Sequence, residues 1–251
     1  MDMLITRGTP LGAHAICRAG ALMGISETAM RVSLTRLVAD GKIVRTERGL
    51  YIAAREAHAL FRRVDQWERK HTLAIKWRSG DWLAVHSGAL SKADKTVWRH
   101  HHLALALCGF AQLRPGLHVR PNNLRGGVRA QASRLRELGL AANAMVFRLC
   151  DMEVPNEQET RALWNVSELV AADQNYINAL EKGMENLDAL ALDAAVKETM
   201  LLGRSVIAHL IRDPVLPTEL MPSETRERLF SLAAEYQARA RLLWEKWLLR
   251  S

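Results

Sequence analysis

Cysteine is scarce in this chain, and the three residues present, Cys17, Cys108 and Cys150, are odd in number and far apart. That distribution excludes a disulfide framework and a CxxC metal knuckle, and it reads as three reduced, mostly buried thiols. Long apolar runs are missing as well. No segment approaches the roughly 20 consecutive apolar residues of a membrane span, and the opening MDMLITRGTP has none of a signal peptide's apolar stretch, so a cytoplasmic location is expected. No Ser/His/Asp triad, phosphate loop or GxGxxG occurs at a recognisable spacing. The chain is expected not to be an enzyme and to need no cofactor.

What is present is ordinary in amount and uneven in arrangement. The 251 residues are 49% hydrophobic and 25% charged, which suits two or three packed units and excludes a largely disordered chain. Residues 1–150 hold 24 Lys and Arg against 10 Asp and Glu, whereas residues 151–251 hold 11 against 17. A positive field confined to the first part predicts a polyanion partner there and a different task for the remainder.

Along the first part, Pro10 to Met23 carries apolar residues at helical spacing and stops at Gly24. Ser26 is a good N-cap, and Met30, Leu34, Leu37 and Val38 place an apolar stripe on a second helix that Gly41 ends. Lys42–Thr46 and Leu50–Ala53 then alternate as strands around a tip at Glu47-Arg48-Gly49. Helix, turn, helix and two-stranded wing is the order of a winged helix-turn-helix.

Residues 55–70 read as a basic helical connector. Strands at Trp82–His86, Ala111–Arg114, Leu117–Arg120 and Met145–Leu149, with helices at Ser91–Cys108 and Asn123–Leu138, give the order β-α-β-β-α-β of a ferredoxin-like unit. Three helices follow, Glu157–Lys182, Leu187–Arg212 and Ser223–Leu249, broken at Gly183 and at the proline corner Asp213–Pro222. The expected fold class is therefore α+β: a winged helix-turn-helix over residues 1–54, a connector over 55–76, a ferredoxin-like domain over 77–154 and a helical domain over 155–251.

In a winged helix-turn-helix the second helix enters the major groove. With Met30, Leu34 and Leu37 turned inward, its outer face presents Ser26, Thr28, Arg31, Val32, Thr35 and Arg36. Arg31 is the foremost base-contact candidate, because a guanidinium donates twice to a guanine edge. Arg45 and Arg48 on the wing, and more weakly Arg7, Arg18, Arg62 and Arg63, suit phosphates. In the second half Arg204, His209 and Arg212 flank the proline corner, which serves either as a plain connection or as the wall of an effector site.

Two rival readings stand beside this one. Metal-dependent nucleases are also built on ferredoxin-like folds, but the first strand, in WLAVHSGAL, holds no carboxylate, and Asp81 precedes it alone. A winged helix can also serve protein contacts, with its arginines merely solvated. The run His100-His101-His102 points in three directions about 100° apart, which suits partly exposed surface better than a metal site. The seven tryptophans are scattered and read as packing residues.

Taken together, GISETAMRVSLTRLVADGKIVRTERGLY, WRSGDWLAV, CGFAQLRPGLHVRP and IRDPVLPTELMP, in this order, resemble the PaaX family of bacterial transcriptional repressors, which control phenylacetate catabolism. The resemblance runs from about Leu11 to Trp247. It implies a homodimeric repressor of a catabolic operon that binds a double-stranded DNA operator and is released by an aryl- or acyl-coenzyme A thioester, with no membrane partner. After the proline corner the chain departs from the family's Asp-Trp-Pro-Gly-like string and reads Ser223-Glu224-Thr225-Arg226, which leaves the effector's acyl group open.

Overall fold

In the computed structural model the chain is α+β, with eight α-helices and two antiparallel sheets among the residues the structure describes, which are 10–54, 64, 66–88 and 94–250. It divides into two compact units. One comprises Met1–Glu68, Tyr176–Ala208 and Phe230–Ser251, the other Arg69–Asn175 and His209–Leu229. The three C-terminal helices, expected as one helical domain, are thus shared between the two units.

In the first unit, strand β1 (Leu11–Gly12) leads into helix α1 (Ala13–Leu22), a tight turn, helix α2 (Glu27–Ala39) and strands β2 (Ile43–Arg45) and β3 (Leu50–Ala53). The expected helix from Pro10 therefore starts three residues late. Leu11 and Gly12 pair with Tyr51 and Leu50 instead, completing a three-stranded sheet of order β1-β3-β2. That pairing satisfies backbone groups and buries Leu11. Ser26 caps α2 as expected, its Oγ accepting the Ala29 amide at 3.3 Å. Replacing Ser26 with Ala is expected to cost about 1 kcal/mol and to lower the thermal midpoint by about 2–4 °C; an unchanged midpoint in a melting curve would show the cap to be idle.

Met30 and Leu34 of α2 are buried and Leu37 is half-buried, but Val38, expected in the same stripe, is exposed. The core they enter contains Ile16 and Ile43. It is continuous with Val196 of helix α7 (Leu192–Leu210) and with Trp244 and Trp247 of helix α8 (Glu224–Leu248). Gly183, read as a helix stop, lies inside helix α6 (Val166–Leu187). Its hydrogen makes room for neighbours: a Cβ there would sit 3.0 Å from Leu202 and 3.2 Å from Tyr236.

The second unit holds strands β4 (Trp82–His86), β5 (Ala111–Arg114), β6 (Leu117–Pro121) and β7 (Met145–Leu149), helix α3 (Lys95–Leu107) and helix α4 (Gly127–Glu137). All strand pairs are antiparallel, in the order β5-β6-β4-β7. Leu83 and Val85 face Ala104 and Leu105 of α3 and Leu135 of α4, so both helices cover one face of the sheet. On the opposite face Trp82 stacks on Trp164 and meets Trp77 edge-on. Its indole donates to Glu157 of helix α5 (Val154–Arg161) at 2.7 Å.

Several boundaries differ from expectation. Asp94 caps α3, accepting the Thr96 and Val97 amides; Ser91, the expected cap, lies outside the described residues. The helix expected from Asn123 starts at Gly127, because Gly126 and Gly127 both take left-handed φ and Asn123 is spent elsewhere. The single helix expected from Glu157 is two, α5 and α6, separated at Asn165, whose side chain accepts the Glu168 amide and caps the second. His100 is exposed as expected, but His101 is fully buried and His102 half-buried.

The proline corner is held carbonyl by carbonyl. The Lys70 ammonium donates to Leu210, Ile211 and Asp213, Arg120 to Pro214, Asn123 to Val215 and Arg226 to Leu216. These bonds keep Val215 at φ 50°, a strained setting for a β-branched residue. No helix among the described residues is long and apolar enough to cross a membrane.

Candidate nucleic-acid interface

Thr28, Arg31, Val32, Thr35 and Arg36 all lie on the solvent side of α2, with Ser26 at its start. Val32 is 64% exposed, a large apolar side chain with no role in the core. Two hydroxyls on this helix are turned back onto the backbone, Ser33 donating to Ala29 O at 2.8 Å and Thr35 to Arg31 O at 3.1 Å. Such back-bonding fixes the Thr35 rotamer.

Arg31 is not idle. Its Nε and Nη2 both reach Glu27 Oε1, at 2.8 and 2.7 Å, and that bond raises the guanidinium's pKa further above its ordinary value. An exposed pair of this kind is weak and screened by salt, so it orients the guanidinium while leaving it free to exchange partners. Sequence reasoning named Arg31 and missed its positioning contact with Glu27. The signal was present: an acid four residues before an arginine on one helix face.

Arg45 and Arg48 are exposed on the hairpin that follows. Its tip is closed by the Gly49 amide bonding to Thr46 O and by Thr46 Oγ1 accepting the Leu50 amide, with Gly49 at φ 73°. Val44, on β2, is also exposed. Arg18 is placed differently: its guanidinium lies 4.1 Å from the centre of the Trp247 ring and donates to Trp247 O at 3.0 Å, committing it to packing. Arg7, Arg62 and Arg63 lie outside the described residues.

The residues read as flanking an effector are not gathered in one unit. Arg204 is exposed in the first unit; His209 and Arg212 belong to the second. His209 Nε2 lies 2.6 Å from Oδ1 of the buried Asp173, which fixes the ring's direction. Asp81, the lone carboxylate before β4, has both oxygens engaged, one by Arg148 Nε at 2.7 Å and the other by Asn122 Nδ2 at 3.1 Å. No group of three or more His, Cys, Asp or Glu among the described residues is arranged to hold a metal ion. Cys17 and Cys108 are buried, and Cys150 is exposed.

No protein-family model matches the chain, and no curated protein matches it. Among solved structures it is similar to the uncharacterized protein Rv0674 from Mycobacterium tuberculosis, with 24% identity and a TM-score of 0.55 over 93% of this chain and 91% of that one. That likeness is one of fold, and it extends over nearly the whole of both chains.

Proposed function

We propose that the chain is a sequence-specific, DNA-binding transcriptional regulator of the PaaX type, a homodimeric repressor of a catabolic operon. In this reading residues 10–54 form a winged helix-turn-helix and the four-stranded sheet of the second unit is ferredoxin-like. The observation that supports it most is the outer face of α2, where polar and basic side chains with one exposed valine are open to solvent, and only Met30 and Leu34 are fully buried. A helix that merely completed a fold would have no reason to present Arg31, Val32, Thr35 and Arg36 together. Arg45 and Arg48 would contact phosphates beside it. Paired heads would read a palindromic site.

An aryl- or acyl-coenzyme A thioester would release the DNA by binding the incompetent state more tightly, since equal affinity for both states shifts nothing. His209 and Arg212, both in the second unit, are the residues we assign to that effector. Binding to the gene's own upstream DNA across a salt series tests the reading, with coenzyme A thioesters added at the end. Preference for that DNA over scrambled sequence at every salt is expected; equal binding to both would overturn it.

A further inference from the structure

The basic character of the first 150 residues is not centred on α2. From the first residue of α3 to the last of β7 there are nine Lys and Arg and a single acid, Glu137. Three of the nine are committed to acids or to the proline corner. Arg114 pairs with Glu159, Arg148 pairs with Asp81, and buried Arg120 serves the proline corner. The other six, Lys95, Arg99, Arg125, Arg129, Arg134 and Arg136, all belong to α3, α4 and the turn before α4, and of these Arg136 also donates to Ala144 O at 3.3 Å. None of them pairs with an acidic side chain among the described residues, and Glu137 accepts a bond from Ser133.

These six sit on one layer. α3 and α4 pack side by side on the Leu83 and Val85 face of the sheet, and Gly139, just past the end of α4, lies against His100. The last turn of α4, with Arg134 and Arg136, is therefore at the α3 end that carries Lys95 and Arg99. Arg125 and Arg129 continue the series at the opposite end of α4. Lys95, Arg99, Arg125 and Arg129 are exposed.

Local electrostatics disfavours this arrangement. Lys95 and Arg99 are like charges four residues apart, and Lys95 and Arg129 stand in the first turns of helices whose positive ends prefer acids. Among the described residues of α3 and its cap only Asp94 is acidic, and its Oδ1 is taken by two backbone amides. A surface tuned for solubility mixes signs, as this one does not. A side-chain choice that opposes local stability without a compensating contact marks a functional surface.

We propose that this helical layer is a second phosphate-contacting surface, which binds the backbone of duplex DNA without reading its sequence. The proposal rests on the regulator reading only in naming duplex DNA as the polyanion. Each cation that neutralises a phosphate releases a counterion, adding about 0.9 to the slope of log affinity against log salt.

The test is the affinity of the full chain for a scrambled duplex and for upstream DNA, between about 50 and about 200 mM salt. It compares the native protein with Lys95→Gln/Arg99→Gln/Arg125→Gln/Arg129→Gln and with a variant carrying Lys at all four positions. The glutamine variant is expected to have a slope shallower by about three to four, so that the native protein loses about a hundredfold more affinity over that range. The lysine variant is expected to keep the native slope. Circular dichroism confirms that each variant is folded. An unchanged slope in the folded glutamine variant, or no binding of the native protein to scrambled duplex at the lowest salt, overturns the proposal. Upstream preference with unchanged slope would leave the regulator reading standing alone. A reduced slope without any sequence preference would keep this surface and remove the regulator.

Discussion

Replacing Arg31 with Ala should lower affinity for the operator by roughly tenfold to a hundredfold while leaving binding to scrambled DNA nearly unchanged. The asymmetry follows from geometry. Arg31 projects from the outer face of α2, away from Met30 and Leu34, and its only described side-chain partner is Glu27 on the same face. Removing it disturbs no core contact, so the loss should appear in discrimination at one base position in each half-site. Lysine at this position would keep the charge but not the paired donors, and should leave discrimination as low as alanine does. Equilibrium binding to a set of single-base operator variants checks both statements. An Arg31→Ala protein with the native ranking of those variants would remove Arg31 from base recognition.

The second large effect is acid sensitivity in the second unit. His118 on β6 is buried beneath His102, with ring centres 5.8 Å apart, and its Nδ1 has no hydrogen-bond partner among the described residues. Burial, followed by the neighbouring His102 and His101, pushes its pKa down to about 4. His101 is lowered too, first by burial and then by His102, and burial lowers His102. The bonding of His101 explains why it stays neutral: Nδ1 accepts the Ala141 amide, so Nε2 must carry the proton and donate to Ser87 Oγ at 2.9 Å.

The sign follows from linkage. A folded pKa below the unfolded value near 6.5 means that the unfolded chain takes up the proton first, so stability is complete above about pH 6.5 and falls as pH drops towards 4. For His118 alone the loss is about 3 kcal/mol by the end of that window. Denaturant unfolding at about pH 7.5 and about pH 4.5 should show it, and His118→Gln should lose correspondingly less. Equal losses in the two proteins would mean that His118 does not carry the effect.

The sequence made some of this architecture legible and hid the rest for identifiable reasons. The second helix of the first unit was readable because its signals agree: a serine cap, apolar residues at Met30 and Leu34, and a glycine after its end. All four strands of the larger sheet were found nearly to the residue, since alternation and turn glycines bound them. The strand Leu11–Gly12 was not, because its partner lies forty residues on and its two residues fit a helical spacing equally well. Gly183 was misread as a stop, and the cap at Asn165 was missed. A glycine can serve packing rather than termination, and an asparagine in a Leu-, Ala- and Glu-rich stretch gives little sign that it caps a new helix. Of the candidate interface, the outward residues of α2 were legible from periodicity alone. The contact between Arg18 and Trp247 was not, because it joins residues at opposite ends of the chain.

The central claim is that the outer face of α2 lies in the major groove. Dimethyl sulfate modifies guanine at N7, the same edge an arginine would occupy. Protection of the upstream DNA by the full-length protein should therefore show guanines shielded in two symmetric half-sites, with one guanine in each exposed again by Arg31→Ala. Bound DNA in which every guanine N7 reacts as in free DNA would contradict the account.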